Sequence, residues 1–345
     1  MSANSKIEWT DHTFNPWEGC TKVGPGCDHC YAEARNARFA GGKPVNWGPG
    51  APRRRTSAAN WRKPLQWNRE AGVFYAKHRR RQRVFCASLA DVFDNEVDPA
   101  WRRDLFDVIE LTPNLVWMLL TKRIGNAFRE ISRARTHDWL MGRDNVWLGA
   151  TVANQAEAER DIPKLLQVPA RVRFLSMEPL LGPVHLDRLV VGDKRELDVL
   201  RGEIGSTAQH FAARPSKTGD RVDWVICGGE SGPDARPMHP TWPRSLRDQC
   251  RAAGVPFFYK QWGEWTDEDW GERAGLRDTA GVLPSGEFLL ATEGYVPPFD
   301  DGKRLAAAGN VRLDGRMLMD RVGKKNAGRL LDGRTHDDFP TSGRP

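Results

Sequence analysis

The sequence predicts an α/β fold: a partial, open (β/α) barrel of six or seven strands followed by a C-terminal extension. Two observations carry this reading. Short apolar, β-rich runs recur along the chain, and charged amphipathic segments of helical length lie between them. Runs starting at 84, 116, 146 and 172 stand 32, 30 and 26 residues apart, the length of a βα unit. Their unbroken apolar character suits parallel strands covered on both faces.

Taken in order, a first strand is expected within 7–17, and further strands at 83–88, 115–120, 146–151, 172–176, 223–227 and 255–259. Helices are expected at 99–111, 124–140 and 155–166. The count of about seven strands favours an open barrel over a closed one of eight. Residues 184–221 interrupt the spacing with a charged, Gly-, Ser- and Lys-containing stretch, read as an insertion or mobile loop placed to act as a lid. The domain reading is therefore a barrel over 1–263, with a cysteine loop at 17–31 and the insertion at 184–221. Residues 264–345, rich in Gly and Asp, form an extension or small accessory domain with a disordered end after Phe339.

The 345 residues carry 39% hydrophobic and 28% charged side chains, with a mean hydropathy of −0.60, which is the profile of a polar-surfaced globular chain. No apolar stretch is long enough to span a membrane and residues 1–6 lack a secretory apolar region, so a cytoplasmic protein without a membrane partner is expected. Net charge is +7, with basic runs at Arg53-Arg54-Arg55, from Lys77 to Arg83, and at Lys324-Lys325. These runs fit either a polyanionic partner or solvated basic loops. The 14 Trp residues fit base stacking, or simply the core.

Function in such sheets sits in the loops leaving the carboxyl ends of strands. Here those loops read Ser88-Leu89-Ala90-Asp91, Thr121-Lys122-Arg123, Thr151-Val152-Ala153-Asn154, Ser176-Met177-Glu178-Pro179, Gly228-Gly229-Glu230-Ser231-Gly232 and Lys260-Gln261-Trp262-Gly263. Polar groups thus converge on one face, although Ser88, Thr151 and Ser176 serve equally well as helix caps.

Of the six cysteines, Cys20, Cys27 and Cys30 cluster with the spacing Cys-x6-Cys-x2-Cys in a Gly- and Pro-rich loop that leads into a helix near Tyr31. In a reducing compartment such clustering reads as metal or cluster ligation. A cubane iron–sulfur cluster on three cysteines leaves one iron open, whereas a structural zinc needs a fourth ligand, for which His29 and His12 are the candidates.

At these residues the chain resembles the radical SAM superfamily, and more closely a phage-associated three-cysteine family of unknown function. The resemblance extends through Ile7-Glu8-Trp9-Thr10, Leu120-Thr121-Lys122-Arg123, Phe174 to Gly182, Gly228 to Gly232, Lys260 to Gly263 and Val322 to Arg329. It implies a barrel of radical SAM type in which Cys20, Cys27 and Cys30 hold a [4Fe–4S] cluster and S-adenosylmethionine chelates the fourth iron. One electron, from an external donor such as a flavodoxin, would release methionine and a 5′-deoxyadenosyl radical that abstracts hydrogen from substrate.

The chain departs from the common Cys-x3-Cys-x2-Cys spacing, and His29 stands where an aromatic residue usually contacts the cofactor. The superfamily's Gly-Gly-Glu motif follows its second strand, while Gly228-Gly229-Glu230 comes much later; Ser88 and Asp91 take the corresponding position. By position along the barrel, Lys122 or Arg123 would meet the methionine carboxylate, and Thr151, Asn154 and Glu178 the ribose hydroxyls. Glu230 and Lys260 would face the substrate, and Cys227 would donate a hydrogen atom or be a core thiol. The implied activity modifies or isomerises a hypermodified pyrimidine, thymine above all, in phage DNA or as a nucleotide, within an infected or prophage-bearing bacterial host. The alternatives are a DNA-repair lyase similar to spore photoproduct lyase and a non-catalytic zinc-binding nucleic-acid module.

Overall fold

Seven strands form one sheet whose order follows the sequence: β1 (His12–Phe14), β2 (Gln82–Cys86), β3 (Leu115–Thr121), β4 (Val146–Thr151), β5 (Val172–Met177), β6 (Trp224–Gly228) and β7 (Phe257–Gln261). Every neighbouring pair is parallel, and the sheet curls into a half-barrel. This is a computed structural model, and it describes residues 5–136, 138–192, 195–206, 216–267, 279–291 and 317–341. The open α/β barrel expected from the βα spacing is thus present.

Helices α1 (Tyr31–Phe39), α2 (Pro99–Glu110), α3 (Ile124–Ala134), α4 (Gln155–Gln167) and α5 (Thr241–Ala253) connect the strands. Local chemistry sets their starts. Asp98 accepts from the Ala100 amide at 2.8 Å with Pro99 in the first turn, and Asn154 accepts from the Glu157 amide at 2.9 Å. Helix α3 is shorter than the 124–140 expected.

Side chains alternate across the sheet with period two. In β3, Leu115, Trp117 and Leu119 join α2, α3 and α4 in the larger core, which takes in Leu105, Ile109, Ile131 and Ile162. Val116 and Met118 face the concave side, where Trp9, Phe85, Trp147, Phe174, Trp224, Ile226 and Phe258 form a second apolar cluster. Each such side chain contributes roughly 1.5–3 kcal/mol of burial.

That second cluster is the floor of the half-barrel. Both ends of the chain complete it: Trp9 packs on Phe85 at 4.7 Å between ring centroids, and Phe339 on Trp224 at 5.1 Å. The Trp224 indole donates to the Asp338 carbonyl at 2.8 Å, and Phe258 bridges to Asp337, so the C-terminal segment lies along the β7 edge. The disordered end expected after Phe339 falls, beyond Thr341, outside the described residues.

Two small antiparallel sheets sit apart from the barrel. Leu189–Val191, Arg195–Asp198, Glu203–Ser206 and Ser216–Lys217 form the first, within the segment read as an insertion or mobile loop. Leu189, Leu197 and Leu200 belong to the larger core, and none of the segment's described residues lines the cavity described below, so these residues do not form a lid over it. Residues 193–194 and 207–215 of this segment lie outside the described residues. The second sheet, Trp265–Thr266, Thr279–Val282, Phe288–Ala291 and Met317–Arg321, is built by the C-terminal extension. No helix among the described residues is long and apolar enough to cross a membrane.

Candidate active site

The carboxyl ends of the seven strands surround a cavity of about 660 Å³, within the range of small-molecule sites. Its walls include Cys20, Cys27, His29, Cys30, Ser88, Asp91, Lys122, Thr151, Glu178, Glu230 and Lys260. The structure therefore brings together eleven of the residues singled out from sequence. Arg123, Asn154 and Cys227 do not line it.

The cysteine loop is fixed from several sides. Asn15, just after β1, accepts from the Leu89 amide at 2.7 Å and donates to Ser88 Oγ at 3.0 Å, tying the ends of β1 and β2 together. Gly19 has φ +112° and a side chain there would meet the Asn46 carbonyl at 2.5 Å, so only glycine places Cys20 against the Trp47 bridge. A short helical turn, Pro25–Cys27, delivers Cys27, and Cys30 precedes the first turn of α1.

Arg236 is the residue that sequence reasoning missed. Its guanidinium and backbone amide make three bonds to the Glu230 carboxylate, at 2.6, 2.8 and 2.8 Å, and it also donates to the Pro25 carbonyl at 2.8 Å and to Asp28 at 3.0 Å. His29 Nδ1 adds a contact to Glu230 at 3.1 Å. One arginine thus clasps both flanks of Cys27 to the β6 loop. Burial alone would raise the Glu230 carboxyl, but the Arg236 bonds outweigh it and hold the group below its ordinary value. With its oxygens so engaged, Glu230 positions the loop. Gly229 is needed beside it, because a Cβ there would fall 1.8 Å from the Trp262 carbonyl.

Arg123 plays a parallel part on the other flank. Its guanidinium donates to the Thr21 carbonyl at 2.8 Å, immediately after Cys20. Asp91 accepts from Thr121 Oγ1, the Lys122 amide and the Phe93 amide at 2.7, 2.8 and 2.9 Å, which joins the β2 and β3 ends. Across the cavity Glu178 receives Lys260 Nζ at 2.6 and 2.9 Å and Gln261 at 3.1 Å. The Lys122 ammonium, half-buried in the wall, has no acidic partner among the described residues.

Two residues assigned to ligand or substrate sit elsewhere for simple reasons. Cys227 shares the outward phase of β6 with Val225, while Trp224 and Ile226 point inward, so its thiol is fully buried in the larger core, where burial pushes it far above its ordinary value. Asn154 is the α4 cap. Its Oδ1 is spent on the Glu157 amide, and Glu157 returns a bond to the Ala153 amide at 2.8 Å.

Three cysteines in one cavity lining are the residue type an iron–sulfur cluster takes as ligands. Of the candidate fourth ligands, His12 stacks on Trp67 at 4.1 Å and lies outside the lining, while His29 lines it with Nδ1 on Glu230 and no hydrogen bond to Nε2 among the described residues. No group of three or more His, Cys, Asp or Glu among the described residues is gathered closely enough for one metal ion. Thiolates on a single zinc stand only about 3.8 Å apart; on a cubane each takes its own iron and they stand wider. Burial, then the Asp91 and Asp94 carboxylates, push the Cys20 thiol up to about 12, and burial raises Cys30. Uncoordinated, Cys20 and Cys30 are neutral thiols rather than nucleophilic thiolates.

Five arginines of the basic runs expected to meet a polyanion are paired within the fold. Arg53 binds Asp94 at 2.7 Å and Glu96 at 2.9 Å, Arg54 pairs with Glu18, and Arg55 binds Asp104 at 2.6 Å. Arg80 binds Asp11 at 2.6 Å, Arg81 binds Asp144 at 3.2 Å, and Arg83 lies over the Phe339 ring.

No curated protein and no solved structure matches the chain. The resemblance to the radical SAM superfamily drawn from the cysteine loop and strand-end motifs is not upheld, since no radical SAM family matches. One family does, over residues 4–340. The chain belongs to the family described as "Protein of unknown function (DUF5131)".

Proposed function

We propose that this protein is an enzyme that holds a [4Fe–4S] cluster on Cys20, Cys27 and Cys30, cleaves S-adenosylmethionine reductively, and modifies or isomerises a pyrimidine, thymine or a modified thymine, of phage DNA or a nucleotide. The observation that carries this reading is the convergence of three thiols on a cavity whose wall also holds Lys122, which has no acidic partner among the described residues. Held by Cys20, Cys27 and Cys30, such a cluster would leave one iron open to the amino and carboxylate groups of S-adenosylmethionine and, once reduced by an external one-electron donor, would supply the electron that splits the sulfonium bond.

The chain's own residues would do the rest. Lys122 offers a positive charge to the methionine carboxylate. Glu178 is held by Lys260 and Gln261 yet retains a free lone pair on Oε2 for a ribose hydroxyl, with the Thr151 hydroxyl also in the wall. The aromatic floor beneath excludes water from one end of the cavity, which protects reactive species from side reactions. Arg236 and Arg123 fix the two flanks of the cysteine loop.

The test is anaerobic reconstitution with iron and sulfide, followed by a reductant-dependent assay for 5′-deoxyadenosine from S-adenosylmethionine. The expected result is product that disappears in Cys27→Ala. A wild-type protein that retains zinc and forms no product refutes the proposal and leaves a binding module in its place.

A further inference from the structure

Some of the charged side chains around the cavity are paired. Lys22 pairs with Glu33 at 3.0 Å, Lys260 with Glu178, and Glu230 with Arg236. Besides Lys122, two lysines in the lining have no acidic partner among the described residues, Lys6 and Lys324, and both are exposed. They come from opposite ends of the chain. Lys6 precedes β1 and Lys324 follows the last strand of the C-terminal sheet, while β1 and β7 are the two edges of the open barrel. Folding places both in the lining of one cavity.

We infer that Lys6 and Lys324 form a phosphate-binding rim, and that the substrate enters the cavity as a nucleotide whose phosphate they hold. This deepens the reading above and rests on it for the pyrimidine. With Lys122 assigned to a carboxylate, Lys6 and Lys324 remain as lining cations whose ammoniums have no ion pair among the described residues, the Glu264 carboxylate accepting from the Lys324 amide at 3.3 Å, and two such charges match a phosphate monoester carrying about −1.5 to −2 at neutral pH. The same chemistry is offered by the phosphodiester of a single strand. A paired duplex base is excluded from an enclosed cavity unless it leaves the stack. Arg53, Arg55 and Arg80, paired internally, do not supply this charge.

The test compares binding of dTMP with thymidine, and of dAMP with deoxyadenosine, to the full-length protein by calorimetry at low salt without reductant. Phosphate is expected to tighten binding about tenfold or more within each pair, with the gap narrowing as salt rises. The double variant Lys6→Ala/Lys324→Ala is expected to erase the gap. Lys325→Ala, an exposed neighbour outside the cavity lining, is expected to keep it. Equal binding within each pair, no binding of any of the four, or a gap that survives the double variant overturns the inference. A thymidine tetranucleotide binding more tightly than dTMP identifies the diester as the source, and the reverse order identifies the monoester; either upholds the rim. Because no cluster or reductant enters the measurement, a phosphate preference that persists in protein unable to bind iron separates failure of the cluster from failure of the rim.

Discussion

The six cysteines divide into two sets of three that live in opposite environments. Cys20, Cys27 and Cys30 line the cavity above the concave face, whereas Cys86, Cys227 and Cys250 are buried in the core between sheet and helices. Burial raises the thiol in all three core residues, and none of them lines the cavity. Chemistry here follows position, not residue type. A thiol one residue out of phase on a strand becomes packing, and a thiol on a clasped loop is left facing the cavity.

Breaking the cavity set gives the largest effect. Cys27→Ala is expected to abolish iron binding after reconstitution, read as iron per chain, while Cys250→Ala retains it. Loosening the clasp comes next. Arg236→Met is expected to weaken iron retention about 10–100-fold against a competing chelator, the usual cost of losing a group that orients metal ligands. Arg236→Lys should restore little, because an ammonium cannot make the paired bonds to Glu230. An unchanged chelator titration in Arg236→Met would show that the clasp does not position the thiols.

The core set responds only in stability. Cys227→Ala is expected to cost about 1–2 kcal/mol in denaturant unfolding for the lost sulfur and the small void, with iron and 5′-deoxyadenosine formation unchanged. Loss of product there would restore a chemical role to Cys227. Smallest is Asn154→Ala, expected to cost about 1 kcal/mol by removing the α4 cap while leaving cofactor binding intact. A weakened affinity for S-adenosylmethionine in that variant would show that the side chain does more than cap.

Much of this was legible in the sequence because parallel strands leave strong local signatures. The runs at 115–120 and 146–151 coincide with β3 and β4 almost residue for residue. Period two also marks Cys227 as outward-facing once Trp224 is taken as inward, and Asn154-x-x-Glu157 is a cap signature in its own right. The rest depends on distant partners. Arg236 reaches Pro25 across 211 residues, and no local pattern announces that bond. Arg53, Arg55 and Arg80 read as a basic surface until the fold supplies Asp94, Asp104 and Asp11. The strands of the two antiparallel sheets are two to five residues long, too short for periodicity to register.

The central claim is that the three cavity thiols hold a cluster with one iron open to S-adenosylmethionine. Electron paramagnetic resonance of the anaerobically reconstituted, reduced protein, recorded with and without S-adenosylmethionine, tests it most directly. The account predicts about four irons per chain and a reduced-cluster signal whose shape changes when S-adenosylmethionine is added. A protein that holds zinc, or a cluster signal indifferent to S-adenosylmethionine, would contradict it.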